Sequence, residues 1–109
     1  NNAFRDCTNL EAIYGEVQFR DNYAKAVDTF FSCRALKDVQ IRLAGSGISV
    51  SLAQSPLISF ESIQHMATVA QIASADKPNT ITLHPDAYAR VTDELFALAA
   101  EKNITIATT

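Results

Sequence analysis

The stretch from Asn79 to Thr109 constrains the fold more than any other part of this chain. Thr80, Ile81, Thr82, Leu83 and His84 alternate polar and apolar, the period-two pattern of a strand with one buried face. Pro85 follows, where its fixed φ and missing N–H suit the first turn of a helix. Asp86 then lies near the positive end of the helix dipole. Tyr88, Val91, Leu95, Leu98 and Ala99 recur at helical spacing, and Asn103 suits a left-handed C-terminal cap. Ile104 and Ile106 restart the alternation. Strand, helix and strand in this order form a crossover unit whose two strands pair in parallel.

Upstream, the same patterning predicts the partners of that unit. Thr8-Asn9-Leu10-Glu11 matches a capping box, and Leu10, Ile13, Tyr14 and Val17 fall at helical spacing. A short helix is expected there, with Gly15 as a weakness. A strand with Ile13, Val17 and Phe19 on one face is the alternative. Asp21 or Asn22 is expected to cap a second helix running to about Leu36, with Tyr23, Val27, Phe30 and Phe31 on its apolar face and Cys33 turned inward.

Val39, Ile41 and Leu43 alternate with Gln40 and Arg42, and Ile48, Val50 and Leu52 alternate with Ser49 and Ser51. The Ala44-Gly45-Ser46-Gly47 segment between them permits positive φ. An antiparallel hairpin is expected, pairing Val39 with Leu52, Ile41 with Val50 and Leu43 with Ile48. Ser59 is then a good N-cap for a helix bearing Ile63, Met66, Ala67, Ala70 and Ala73, with His65 on its polar face. Asp76-Lys77-Pro78 leads into the Asn79 strand. No internal repeat, low-complexity tract or linker stands out.

The expected fold is therefore α/β in the α+β-like sense: a two-layer sandwich with a mixed, mostly parallel four-stranded sheet and helices on one face. Its 109 residues are expected to form a single domain, 1–109, with residues 1–8 as a loose tail. Hydrophobic residues make up 48% and charged ones 19%, which favours a packed core over disorder. The closing order of hairpin, helix, strand, helix, strand, over about residues 39 to 109, is similar to that of STAS domains, the family of anti-sigma-factor antagonists. Those regulators carry an Asp-Ser-Gly-type turn with a phosphorylatable serine before the first of these helices. Here that place reads Pro56-Leu57-Ile58-Ser59-Phe60, without the acidic residue or the glycine, and Ser59 is nearest in position. The resemblance implies a STAS-like regulatory domain by topology.

The outer sheet face is expected to present Gln40, Arg42, Ser49, Ser51, Thr80, Thr82, His84 and Thr105, a flat polar platform suited to a partner protein. It lacks the aromatic residues of an RNA-stacking sheet, and the net charge of −3 disfavours nucleic acid. Arg42, Thr82, His84 and Asp86 are the binding candidates. His84 ends a strand beside a helix start, where ligands of crossover folds bind; capping that helix is its other reading. No catalytic set, metal-ligand spacing or cofactor motif is read; Gly45-Ser46-Gly47 precedes a strand and so is no phosphate loop. Cys7 and Cys33 are expected as two reduced thiols, with a single bridge between them as the alternative in a secreted or periplasmic protein. No stretch approaches the ~20 apolar residues of a membrane span, and a cytoplasmic protein is expected.

These readings point to a small non-enzymatic interaction or regulatory protein that binds another protein. The alternative is a small enzyme or ligand-binding domain with a site near His84 and Asp86. A homodimer through the edge of the C-terminal strand is expected, because Thr105, Ala107 and Thr108 offer no charge to guard it.

Overall fold

The computed structural model describes residues 4–20 and 29–109. The elements are β1 (Ala12–Arg20), β2 (Asp38–Ala44), β3 (Ser49–Leu52), α1 (Phe60–Val69), β4 (Asn79–Leu83), α2 (Pro85–Tyr88), α3 (Asp93–Glu101) and β5 (Ile104–Thr108). They form mixed α/β structure with two parallel sheets, β1–β2 and β3–β4–β5. The α/β class and the mutually parallel β3, β4 and β5 agree with the sequence reading. The single four-stranded sheet does not.

The difference originates at Gly45–Gly47. The expected hairpin is absent: β2 pairs with β1, and β3 pairs with β4. The corner between β2 and β3 is held open by neighbouring windings of the chain, not closed on itself. Gly47 N–H donates to Lys77 O, and Asn79 Nδ2 donates to Gly45 O. Ile48 N–H donates to Asn79 Oδ1 at 2.9 Å, and the Asn79 side chain is fully buried. Positive φ at Gly47 (70°) suits this bend. The apolar residues expected to pair across a hairpin still face the core, since Val39, Ile41, Leu43, Ile48, Val50 and Leu52 are all buried. Alternation alone reports which face is buried, and both partners of a corner satisfy it as well as both partners of a hairpin.

Among the described residues the chain runs through four stacked windings. One layer is β1, β2, α1 and α3 side by side; the other is β3, β4 and β5. Corners join the layers and bond to one another. Ala73 N–H donates to Lys102 O, Asn79 N–H to Asn103 O, and Asn103 Nδ2 to Ala73 O. Lys102 Nζ donates to the carbonyls of Thr68 and Ala70, closing the C-terminal end of α1. One buried cluster runs through all the windings, from Phe19 and Phe30 to Leu95 and Ile106.

The stack exposes a repeat. Phe4-x-x-Cys7-x-x-Leu10-x-x-Ile13 recurs 26 residues later as Phe30-x-x-Cys33-x-x-Leu36-x-x-Val39. The two segments share a conformation: Asp6 and Ser32 both take left-handed φ, 64° and 62°. Cys7 and Cys33 donate N–H bonds to Phe4 O and Phe30 O, and Leu10 and Leu36 donate to Cys7 O and Cys33 O. The rings of Phe4 and Phe30 stack at 5.8 Å, 3° from parallel. A third winding repeats the scheme with Leu52, Ser55 and Ile58, joined by Ser55 N–H to Leu52 O and Ile58 N–H to Ser55 O. Gln54 Oε1 accepts from Ser32 N–H, as Phe31 O accepts from Asp6 N–H one winding earlier.

This repeat corrects the N-terminal expectations. The residues expected as a first helix form β1, with Val17 and Phe19 turned inward as in the alternative strand reading. The helix expected from Asp21 or Asn22 to Leu36 lies partly outside the described residues, and from Thr29 onward the chain forms turns. Within the supposed tail 1–8, Phe4 and Cys7 pack on the core; residues 1–3 lie outside the described residues. The helix after Pro85 is divided into α2 and α3, because the Thr92 hydroxyl accepts from Leu95 N–H and starts a new helix. Asn103 takes φ 57°, the left-handed cap expected of it.

Loss of the hairpin also removes the topological basis of the STAS resemblance. Ser59 is buried and caps α1, accepting from Ser62 N–H while its hydroxyl reaches Asp38 Oδ1 at 3.0 Å.

Candidate functional site

The four residues singled out from sequence fall in two places. Thr82 lies on β4 in register with Ser51 and Ala107, and Thr80 lies in register with Ser49 and Thr105. These small polar side chains form the outer face of the three-stranded sheet, while Val50, Ile81 and Ile106 between them point inward. His84 and Asp86 follow at the end of β4. Arg42 belongs to the other sheet, so it does not share a site with them.

Arg42 is a brace. Its Nε donates to Glu16 Oε1 at 2.9 Å across β1 and β2, and its Nη1 donates to Val69 O at the end of α1. The hydrogen bond from Arg42 holds the Glu16 carboxyl below its ordinary range, and the bond to Glu16 raises Arg42. Both side chains are more than a third exposed, so the pair tunes the surface more than it stabilises the fold.

His84 acts as the cap. Its Nδ1 accepts from Asp86 N–H at 3.0 Å, which leaves Nε2 as the nitrogen carrying the proton. The helix it starts, α2, is a single turn of four residues. A shallow cleft beside His84 is bounded by Arg34, Gln54 and Pro56.

The feature missed in the sequence is the leading edge of the stack. In β1 the register shifts between Ala12↔Asp38 and Glu16↔Gln40, so the strand carries a bulge of two extra residues. Gly15 takes φ 94° within it, and a Cβ there would meet nothing within 4 Å. The bulge pushes Tyr14 into solvent, 93% exposed. It also opens a cleft of about 410 Å³ between β1, β2 and α1, with Asp38, Glu61 and His65 in its lining. His65 is half-buried instead of solvated, and its Nε2 is shielded from water without a hydrogen-bond partner. Among the described residues no group of His, Cys, Asp and Glu side chains is arranged to hold a metal ion. Nor is any helix among them long and apolar enough to cross a membrane.

Beyond β1 the stack has no further neighbour among the described residues, because β1 pairs only with β2. The repeated Phe-x-x-Cys-x-x-Leu spacing was the signal that could have located this edge. No protein-family model, curated protein or solved structure matches the chain.

Proposed function

We propose that this chain is a non-enzymatic interaction module that binds another protein through the leading edge of its stack, at β1. The observation that carries the reading is the outer edge of β1, with Tyr14 exposed beside it. Every other junction in the stack is made by backbone groups of one winding meeting those of the next. Lys37 N–H donates to Glu11 O, and Ser59 N–H donates to Lys37 O. Stacked-repeat proteins build stability from such nearest-neighbour junctions and bind partners on extended surfaces. An incoming strand with alternating apolar residues meets the edge of β1, which pairs only with β2 among the described residues, in the same way, by main-chain pairing.

The test uses a peptide copying residues 4–20, since that segment already docks on the second winding. At millimolar concentration it is expected to slow amide hydrogen exchange in β1 and leave β4 unchanged. Unaltered exchange in β1 overturns the reading.

A second copy of the chain is the partner expected at the opposite end. There β5 pairs only with β4 among the described residues, and two such edges can join across a two-fold axis. Sedimentation at tens of micromolar is expected to show a dimer; a monomer contradicts this part of the proposal.

A further inference from the structure

We propose that Cys7 and Cys33 form a reversible disulfide that staples the first winding to the second, with Cys7 capturing the oxidant and Cys33 resolving it. The two residues hold the same position in stacked turns. Their N–H groups donate to Phe4 O at 3.2 Å and to Phe30 O at 3.1 Å, and the preceding residues share left-handed φ values. Stacked backbones lie about 4.8 Å apart, inside the roughly 4.4–6.8 Å that disulfide Cα atoms span. Both are free thiols, Cys7 half-buried and Cys33 fully buried. Cys33 points back at the first winding, where its Sγ donates to Phe4 O at 2.8 Å. The N–H and thiol of Cys7 lie close enough to Cys33 to bear on its ionisation.

The chemistry is thiol–disulfide exchange with a low-molecular-weight disulfide as oxidant. The Cys7 thiolate attacks one sulfur, forming a mixed disulfide and releasing one thiolate. Cys33 then gives up its proton, turns from Phe4 O and attacks the Cys7 sulfur, releasing the second thiolate. The two cysteines lose two electrons and two protons, and the oxidant leaves as two thiols. Burial raises the Cys33 thiol above its ordinary pKa, so the second step accelerates as pH rises.

The test treats the native protein with oxidised glutathione, traps remaining thiols with N-ethylmaleimide and counts adducts by mass spectrometry. The expected product has lost two hydrogens, carries no alkylation and yields a Cys7–Cys33 linked peptide on digestion. Cys33→Ser is expected to stop at the glutathione adduct on Cys7. Cys7→Ser is expected to leave Cys33 unmodified in the folded protein. A wild-type reaction that ends at the Cys7 adduct overturns the proposal. So does direct glutathionylation of Cys33 in folded Cys7→Ser, or two unreacted thiols in the native wild type.

Discussion

The first two windings and the last two occupy the same layer by different means. In the first two, β1 and β2 lie side by side as parallel strands; in the next two, α1 and α3 take the corresponding places. Among the described residues the opposite layer does not change, since β3, β4 and β5 are all strands. Local sequence makes the choice. β2 alternates Val39, Ile41 and Leu43 with polar residues, whereas α1 starts at a serine cap and presents Ile63, Met66 and Ala67 at helical spacing. What the stack demands is a buried stripe and backbone partners at the corners, and a strand or a helix can supply both.

This contrast can be broken by substitution, starting where the effect is greatest. Phe30 stacks on Phe4 and meets Phe19 edge-on, so it anchors the strand-built windings. Phe30→Ala is expected to cost about 3–5 kcal/mol in denaturant titration. Met66→Ala, in the helix-built third winding, should cost about 2–5 kcal/mol. Both variants are expected to unfold in one transition, because one core runs through all the windings. Two separated transitions would show that the two halves are independent.

The corners should rank next. Asn79 ties three windings together, accepting from Ile48 N–H and donating to Gly45 O through its side chain and to Asn103 O through its backbone. Asn79→Ala leaves the buried Ile48 N–H and the half-buried Gly45 carbonyl without those partners and should cost about 2–4 kcal/mol. A loss below 1 kcal/mol would mean that the corner is not a junction. Caps come lower still. Thr92→Ala and Ser59→Ala should each cost about 0.5–2 kcal/mol by thermal or chemical unfolding.

The Glu16–Arg42 pair distinguishes the strand-built windings by pH. Glu16 is lowered when folded, so its contribution is present above the unfolded carboxylate value near ~4.3 and is lost as pH falls through the lower folded value. Glu16→Gln should flatten the stability profile in that acidic window, with a small loss of stability at neutral pH that vanishes below the folded value. The smallest effect is expected at Thr82→Ala on the outer face of β4, within about 0.5 kcal/mol.

The C-terminal half was legible because its signals are local. Thr80 to Leu83, the Ser59 cap, Pro85 and Asn103 each act within a few residues of themselves, and the structure places them as the pattern predicts. Partner choice was not legible for β2. Its alternation shows which side chains are buried, but the groups that decide against a hairpin are Lys77, Asn79 and the strand at Glu16–Arg20, all distant in sequence. The first helix was misread because Leu10, Ile13 and Val17 fit a 3.6-residue period by accident of a bulge. The two extra residues near Gly15 keep Ile13, Val17 and Phe19 on one parity, and the glycine between Ile13 and Val17 leaves the period-two pattern without an apolar residue there. The 26-residue recurrence of Phe, Cys and Leu was visible in the sequence and would have revealed the stack. His84 was placed correctly as a cap, while Arg42 and Thr82 were grouped only because one sheet was assumed.

The central claim is that β2 pairs in parallel with β1 and turns a corner before β3. Nuclear Overhauser contacts in isotopically labelled protein test it most directly. The account predicts interstrand contacts of Ile41 with Val17 and of Leu43 with Phe19, together with Val50 to Ile81. Interstrand backbone contacts pairing Ile41 with Val50 and Leu43 with Ile48 would restore the hairpin and contradict the stack.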